Sequence, residues 1–330
     1  MTHKQWKYDA IKMYKAGKTY SEIAESLGKP YFTITTHLHR HLKSGKFDVT
    51  HLTREELLAN ASGGTYSTAK EYYAPKRSRN PTIFVIGDTQ CKQGIDLKYM
   101  HWIGAYIARK KPDIIVHLGD HYDMASLSSY DKSTLSAEGR RVQLDIEAGD
   151  EGLAILQQYI DDVPEYNPRK VVTLGNHEDR IDRFVSINPE FQGFLGTERL
   201  AFHDYGWEVV PFLKPINICG ISFVHYLANT MTGKPLGGSA LSRLKQVGES
   251  YVMGHQQVFD YAERPLQLSG KKQLGIIVGA AYSHDESYKG YQGNHHFRGC
   301  VMLYECSEGY ALHKNITLQH MQNLYEGTTV

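Results

Sequence analysis

The sequence predicts an α/β protein: two mixed β-sheets packed as a sandwich and flanked by helices, with a small all-α domain in front. Three observations carry that class. From residue 82 the pattern runs strand, helix, strand, helix, strand, the rhythm of a layered α/β domain. After Trp207 it changes to short strands with few helices between them, which calls for a second sheet packed on the first. Finally, five short motifs place metal-binding or proton-transfer groups where strands should end. They are Gly87-Asp88-Thr89-Gln90, Gly119-Asp120-His121-Tyr122-Asp123, Gly175-Asn176-His177-Glu178, Val224-His225-Tyr226 and Gly254-His255-Gln256-Gln257. Four of them follow an apolar or β-branched run (residues 83–86, 114–116, 171–174 and 221–223). Groups at the C-terminal ends of such buried strands converge on one sheet edge.

The first 46 residues read as three short helices. Residues 4–16 carry apolar groups at Trp6, Ala10, Ile11, Met13 and Tyr14, and Gly17 ends them. Thr19 or Ser21 caps a second helix through Ile23, Ala24 and Leu27, and Gly28-Lys29-Pro30 makes the turn. Residues 31–42 form the third helix, with Phe32, Ile34 and Leu38 on its buried face. Residues 19–28 resemble a helix-turn-helix module, in which a small Ala24 lets two helices pack closely and Gly28 permits the sharp turn. The exposed face of the third helix then offers Thr33, Thr35, Thr36, His37, His39, Arg40 and Lys43 to phosphates and base edges of DNA. The alternative is a helical bundle used for docking or dimerisation. Charge favours nucleic acid: residues 1–46 hold nine Lys/Arg and three Asp/Glu, a net +6, while the remainder carries −5. A basic module on a mildly acidic body points to nucleic-acid contact by the first and metal binding by the second.

Residues 47–81 read as a linker. Thr53-Arg54-Glu55-Glu56 has the form of a capping box, but Ser62-Gly63-Gly64 and the Pro75 to Pro81 stretch lack periodicity. The domains expected are therefore 1–46, 47–81 and 82–330. In the last, helices are expected at 96–111 and 134–160, and late strands at 208–212, 216–219, 221–226, 251–253, 274–278, 300–304 and 310–313. No apolar run reaches membrane-spanning length, and Lys4, Lys7, Lys12 and Lys15 interrupt any secretory segment. Cys91, Cys219, Cys300 and Cys306 show no CxxC pairing, as expected of reduced thiols in a cytoplasmic protein.

Asp88, Asp120, Asn176, His225 and His255 are the expected ligands of a paired divalent-metal site. Asp120 comes from the second of three sequential motif strands and so suits a central, bridging carboxylate. Imidazoles with an amide oxygen suit manganese, zinc or iron. The five strings together resemble the calcineurin-like metallophosphoesterase superfamily, whose signature runs D-x-H, GD-x-x-D, GNH-D/E, H, GH-x-H, over residues 83–257. That resemblance implies that Asp88 and Asp120 bind a first ion and Asp120, Asn176, His225 and His255 a second. It also implies that His177 is the catalytic histidine beside the leaving oxygen, oriented by Asp123, and that the bound ions activate water for in-line attack on phosphorus. Two positions depart from the signature: Gln90 and Gln257 stand where it has histidines, and both belong to the first ion. Ligation by Asp88, Gln90, Asp120 and Gln257 is oxygen-only, which favours manganese or magnesium over zinc, or leaves that site empty at rest.

His121 is a further candidate substrate contact, as are Arg140 and Arg141. The segment from Tyr282 to Arg298 mixes aromatics with cations as a single-strand platform would. The leading expectation is a metal-dependent nuclease or phosphodiesterase delivered to DNA by its helical module, a fusion that resembles phage proteins and would act in the host cytoplasm. Alternatives are a phosphomonoesterase, a nucleotide phosphodiesterase, or a non-catalytic DNA-binding regulator.

Overall fold

Buried apolar runs and polar turns alternate along the larger part of the chain, and the runs become strands. They are β1 (Ile83–Ile86), β2 (Ile114–His117), β3 (Arg169–Thr173), β4 (Glu208–Val210), β5 (Ile216–Ile218), β6 (Ile221–Val224), β7 (Tyr251–Met253), β8 (Asp260–Pro265), β9 (Lys272–Ile277), β10 (Gly299–Ser307) and β11 (Tyr310–Thr317). The computed structural model describes residues 5–16, 18–31, 33–35, 37–38, 80–129, 138–286 and 289–327. The chain divides into two units, Met1–Ser78 and Arg79–Val330.

In the second unit, one sheet has the order β11-β10-β1-β2-β3-β4 and the other β5-β6-β7-β9-β8. Strands β1 to β4 run parallel, with Ile86 opposite His117 and His117 opposite Val172. In the other sheet β6, β7 and β9 are parallel. Residues of both sheets share one core, including Val85, Val116, Val171, Phe223, Val252, Ile276 and Val301. Each such side chain contributes about 1.5–3 kcal/mol by leaving water. Because β1, β2, β3, β6 and β7 are parallel neighbours within their sheets, the turns at their C-terminal ends carry the five motifs to one edge of the sandwich. The expected fold class is the one observed.

Some elements differ from expectation. The second large helix begins at Val142 and ends at Asp161, and the proposed start at 134 lies outside the described residues. The helices Asp179–Ile187, Ala240–Val247 and Leu318–Glu326 and the strand β8 were not expected. Strand β8 reads Asp-Tyr-Ala-Glu-Arg-Pro, a mostly polar sequence tolerated because it is an edge strand paired only to β9. No helix among the described residues is long and apolar enough to cross a membrane. All four cysteines are free thiols.

The first unit has helices at Gln5–Lys15 and Tyr20–Leu27 and helical residues at 31, 33–35 and 37–38. Thr19 caps the second helix in a capping box with Glu22, and Gly28 ends it in the left-handed region at φ 59°. Ala10, Ile23, Ala24, Ile34 and Leu38 form its small core. One expectation for the third helix needs correction: Thr35 is buried, 8% exposed, and so is not part of an exposed face. His37 sets its Nε2 3.2 Å from the Lys7 carbonyl and its ring edge-on to Trp6 at 5.2 Å, so it serves this core. Thr33 is half-buried. Thr36, His39, Arg40 and Lys43 lie outside the described residues, as do residues 47–79 of the linker.

Candidate metal centre

Asp120 is the centre of the sheet edge. It follows β2 with a φ of 49°, a strained conformation for a residue with a Cβ, and Gly175 opposite gives it room. A side chain at Gly175 would collide with the Asp120 carboxylate. Asp120 Oδ1 accepts the His177 backbone N–H at 2.9 Å. Its Oδ2 lies 3.4 Å from His225 Nε2 and 3.7 Å from His177 Nε2. Asp88, after β1, is fully buried, and its Oδ1 accepts the backbone N–H of His255 at 3.0 Å.

One geometry shows that these residues suit a cation. His225 Nδ1 sits 2.6 Å from the Leu118 carbonyl oxygen, which can only accept, so that nitrogen carries the proton. The opposite nitrogen, Nε2, then presents its lone pair to Asn176 Oδ1 at 2.9 Å and to Asp120 Oδ2. Three acceptors converge with no donor between them. Asp120, His225 and His255 each place a ligand atom within 4.8 Å of the others. A divalent ion satisfies such a set, and the Leu118 carbonyl is the outer partner that fixes the imidazole. Without an ion, a proton must serve: burial opposes charge on His225, but Asp120 and Asp88 raise its pKa to about 9. Burial and the neighbouring His225 lower His255 to about 4. Burial and then the Asp120 charge raise Asp88, whereas Asp120 stays ionised because His177 and His225 outweigh its burial.

The other half of the edge is different. Gln90 is fully buried with φ 41°, and neither atom of its amide has a hydrogen-bond partner, which leaves its oxygen available to an ion. Gln257 does not match the expectation of a ligand. Its Oε1 accepts from the Tyr282 hydroxyl at 2.7 Å and from the Lys289 ammonium, while its Nε2 donates to Asp88 Oδ2 at 3.0 Å. The amide therefore turns its donor, not its oxygen, toward the centre.

His177 donates from Nδ1 to Asp123 Oδ1 at 2.9 Å, and the Arg180 guanidinium stands 3.1 Å from its Nε2. Burial would lower His177, but Asp120 and the bond to Asp123 prevail and raise it. Both residues open on a cavity of about 750 Å³ whose wall also includes Lys92, Arg140, Arg180 and Lys289. Arg140 also donates to the Ala125 carbonyl at 3.0 Å.

Two residues read as candidate contacts, His121 and Tyr282, lie buried. His121 is fully buried, in a chain in which His117 Nε2 meets Thr89 Oγ1 at 3.0 Å and Thr89 Oγ1 meets His121 Nδ1 at 2.7 Å. It ends with His121 Nε2 at 2.9 Å from the Gly149 carbonyl, so His121 cannot reach substrate. Tyr282 is likewise fully buried, stacked on His284 at 4.5 Å, and cannot offer a face to a base. The residue missed by sequence reasoning is Glu178. Its carboxylate, fully buried, accepts the backbone N–H groups of Asp120, His121, Tyr122 and Gly175 at 2.6–2.9 Å. It thus locks the turn after β2 to the turn after β3. Its place in the Gly175-Asn176-His177-Glu178 string was the available signal.

The fold and this convergence of carboxylates and imidazoles at strand ends define a metal-dependent phosphate-ester hydrolase. Residues 81–272 match the calcineurin-like phosphoesterase family, and the chain belongs to that family. It is 26% identical over 179 residues to the gene 54 protein of Mycobacterium phage L5, covering 52% of this chain and 68% of that one. The gene 54 protein of Mycobacterium phage D29 gives the same identity and coverage. A solved structure of a predicted phosphoesterase from Streptococcus pneumoniae aligns over 73% of this chain and all of its own, at 11% identity and a TM-score of 0.29.

Proposed function

We propose that this phosphoesterase cleaves phosphodiesters of DNA, with Asp120, Asn176, His225 and His255 holding a divalent ion and manganese the favoured metal. The observation that carries the hydrolytic part is the set of acceptors around Asp120, His225 and Asn176 beside an oriented His177. When bound, the ion supplies Lewis-acid activation of water and charge neutralisation at phosphorus. The protein's own residues do the rest. Asp123 holds the His177 ring through Nδ1, so that Nε2 faces the cavity. His177, whose pKa is raised by Asp120 and by its bond to Asp123, is placed to give a proton from Nε2 to the departing ester oxygen. The Arg180 guanidinium, 3.1 Å from His177 Nε2 and lining the same cavity, is placed to bind a phosphoryl oxygen.

DNA as substrate is supported by the basic first unit, net +6 over residues 1–46, with Thr33, Arg40 and Lys43 as its contacts. The phage relatives fit action in a bacterial host cytoplasm. A panel in manganese decides the substrate: p-nitrophenyl phosphate, its bis ester, cyclic nucleotides, and single- and double-stranded DNA. The reading expects the bis ester and DNA to turn over well above the monoester. Preference for the monoester or for cyclic nucleotides would replace DNA, and no turnover with any of them would make the protein a DNA-binding regulator.

A further inference from the structure

Gln257 is 5% exposed, and both ends of its amide are engaged. An amide oxygen has two lone pairs, and here they meet the Tyr282 hydroxyl and the Lys289 ammonium. The amide cannot be turned over, because its NH₂ would then confront the ammonium, which has no lone pair to give. Its Nε2 must therefore donate to Asp88 Oδ2, 3.0 Å away. Lys289 Nζ also lies 3.0 Å from the Tyr282 oxygen, and the buried, stacked Tyr282 ring fixes where that oxygen stands. The positive charge of Lys289 is thus held one amide away from Asp88.

We propose that Lys289, relayed by Gln257, is a resident counter-charge for Asp88, and that the enzyme in consequence holds one divalent ion tightly, in the Asp120–Asn176–His225–His255 set. The Asp88 side keeps only the unpartnered amide of Gln90 and the carboxylates as ligands, with no imidazole. A hard ion can visit such oxygens, but weakly, against a fixed ammonium nearby. This inference rests on the metal-dependent part of the function and not on which ester is cut, so its test uses no substrate.

The full chain is loaded with Mn²⁺, passed through a desalting column containing a mild chelator, and assayed for metal by mass spectrometry. One equivalent should remain, and its electron paramagnetic resonance spectrum should be that of isolated Mn²⁺. Gln257→His alone should still retain one equivalent, because Lys289 stays in place. Lys289→Met combined with Gln257→His should retain two, with the coupled spectrum of a manganese pair. Two tightly held equivalents or a coupled spectrum in the unaltered protein would overturn the proposal. So would two equivalents in Gln257→His alone, or one in the double variant with circular dichroism unchanged. Should the double variant not fold, the stoichiometry and spectrum of the unaltered protein decide.

Discussion

The two halves of the metal centre are made from the same kind of turn, yet they manage charge in opposite ways. Around Asp120, a lone pair of His225 and the oxygen of Asn176 are aimed at one point with no donor among them, held there by the Leu118 carbonyl. Around Asp88, the oxygens meet donors from within the chain: the His255 backbone N–H and the Gln257 amide, with Lys289 behind it. The first half is incomplete without a cation, and the second has built most of its compensation from protein. The difference teaches that a metal-ligand motif has to be read with its partners, since one amide can face a site with either of its ends.

The largest effect is expected where the acceptors converge. Asp120→Asn should lose both retained metal and hydrolysis, to below detection, as read by metal analysis and a bis-ester assay. A fully active Asp120→Asn protein would break the comparison at its base. His177→Ala should lower turnover on the order of 100-fold or more, the usual weight of a positioned proton donor, with metal content near normal. That separation of metal content from rate sharpens the assignment of His177 to proton transfer.

Glu178→Gln tests what holds the Asp120 half in shape. A glutamine offers one oxygen and sets an NH₂ against the other backbone donors, so stability should fall by about 2–3 kcal/mol. Denaturant unfolding of the metal-free protein reads it. Asp123→Asn removes support for the His177 proton and should cost about tenfold in rate, near the low end for a group that orients another. The sign of its pH effect follows from the raised His177 pKa. With metal saturating, rate should be highest near the ordinary histidine value of about 6.5 and fall as pH rises through the higher folded value. In Asp123→Asn that alkaline limb should move to lower pH. The same sign applies to His225 in the metal-free protein, where its pKa is about 9. Its contribution to stability is full below about 6.5 and is lost as pH rises toward 9. Loading the metal, which needs the neutral ring, should abolish that loss. The smallest effects belong to the first unit: Arg40→Ala or Lys43→Ala should each reduce the salt slope of DNA binding by about one, leaving bis-ester hydrolysis unchanged. Filter binding across a salt series shows it.

Much of this was legible in the sequence. β-branched runs before Asp88, Asp120, Asn176 and His225 marked buried strands, and parallel strands place their ends together. Burial and tertiary partners were not legible. Thr35 and His121 look like surface residues by type, but Thr35 is buried and the hydrogen-bond chain from His117 through Thr89 holds His121 inside. Gln257 reads as a weak ligand until Lys289 and Tyr282, distant in sequence, are seen to claim its oxygen. Strand β8 escaped because an edge strand does not need an apolar face.

The central claim is tested most directly by titrating the metal-free full chain with Mn²⁺ while following hydrolysis of bis(p-nitrophenyl) phosphate. The account predicts that the rate rises with each addition and breaks sharply at one equivalent per chain. A break at two equivalents, or no hydrolysis at any manganese concentration, would contradict it.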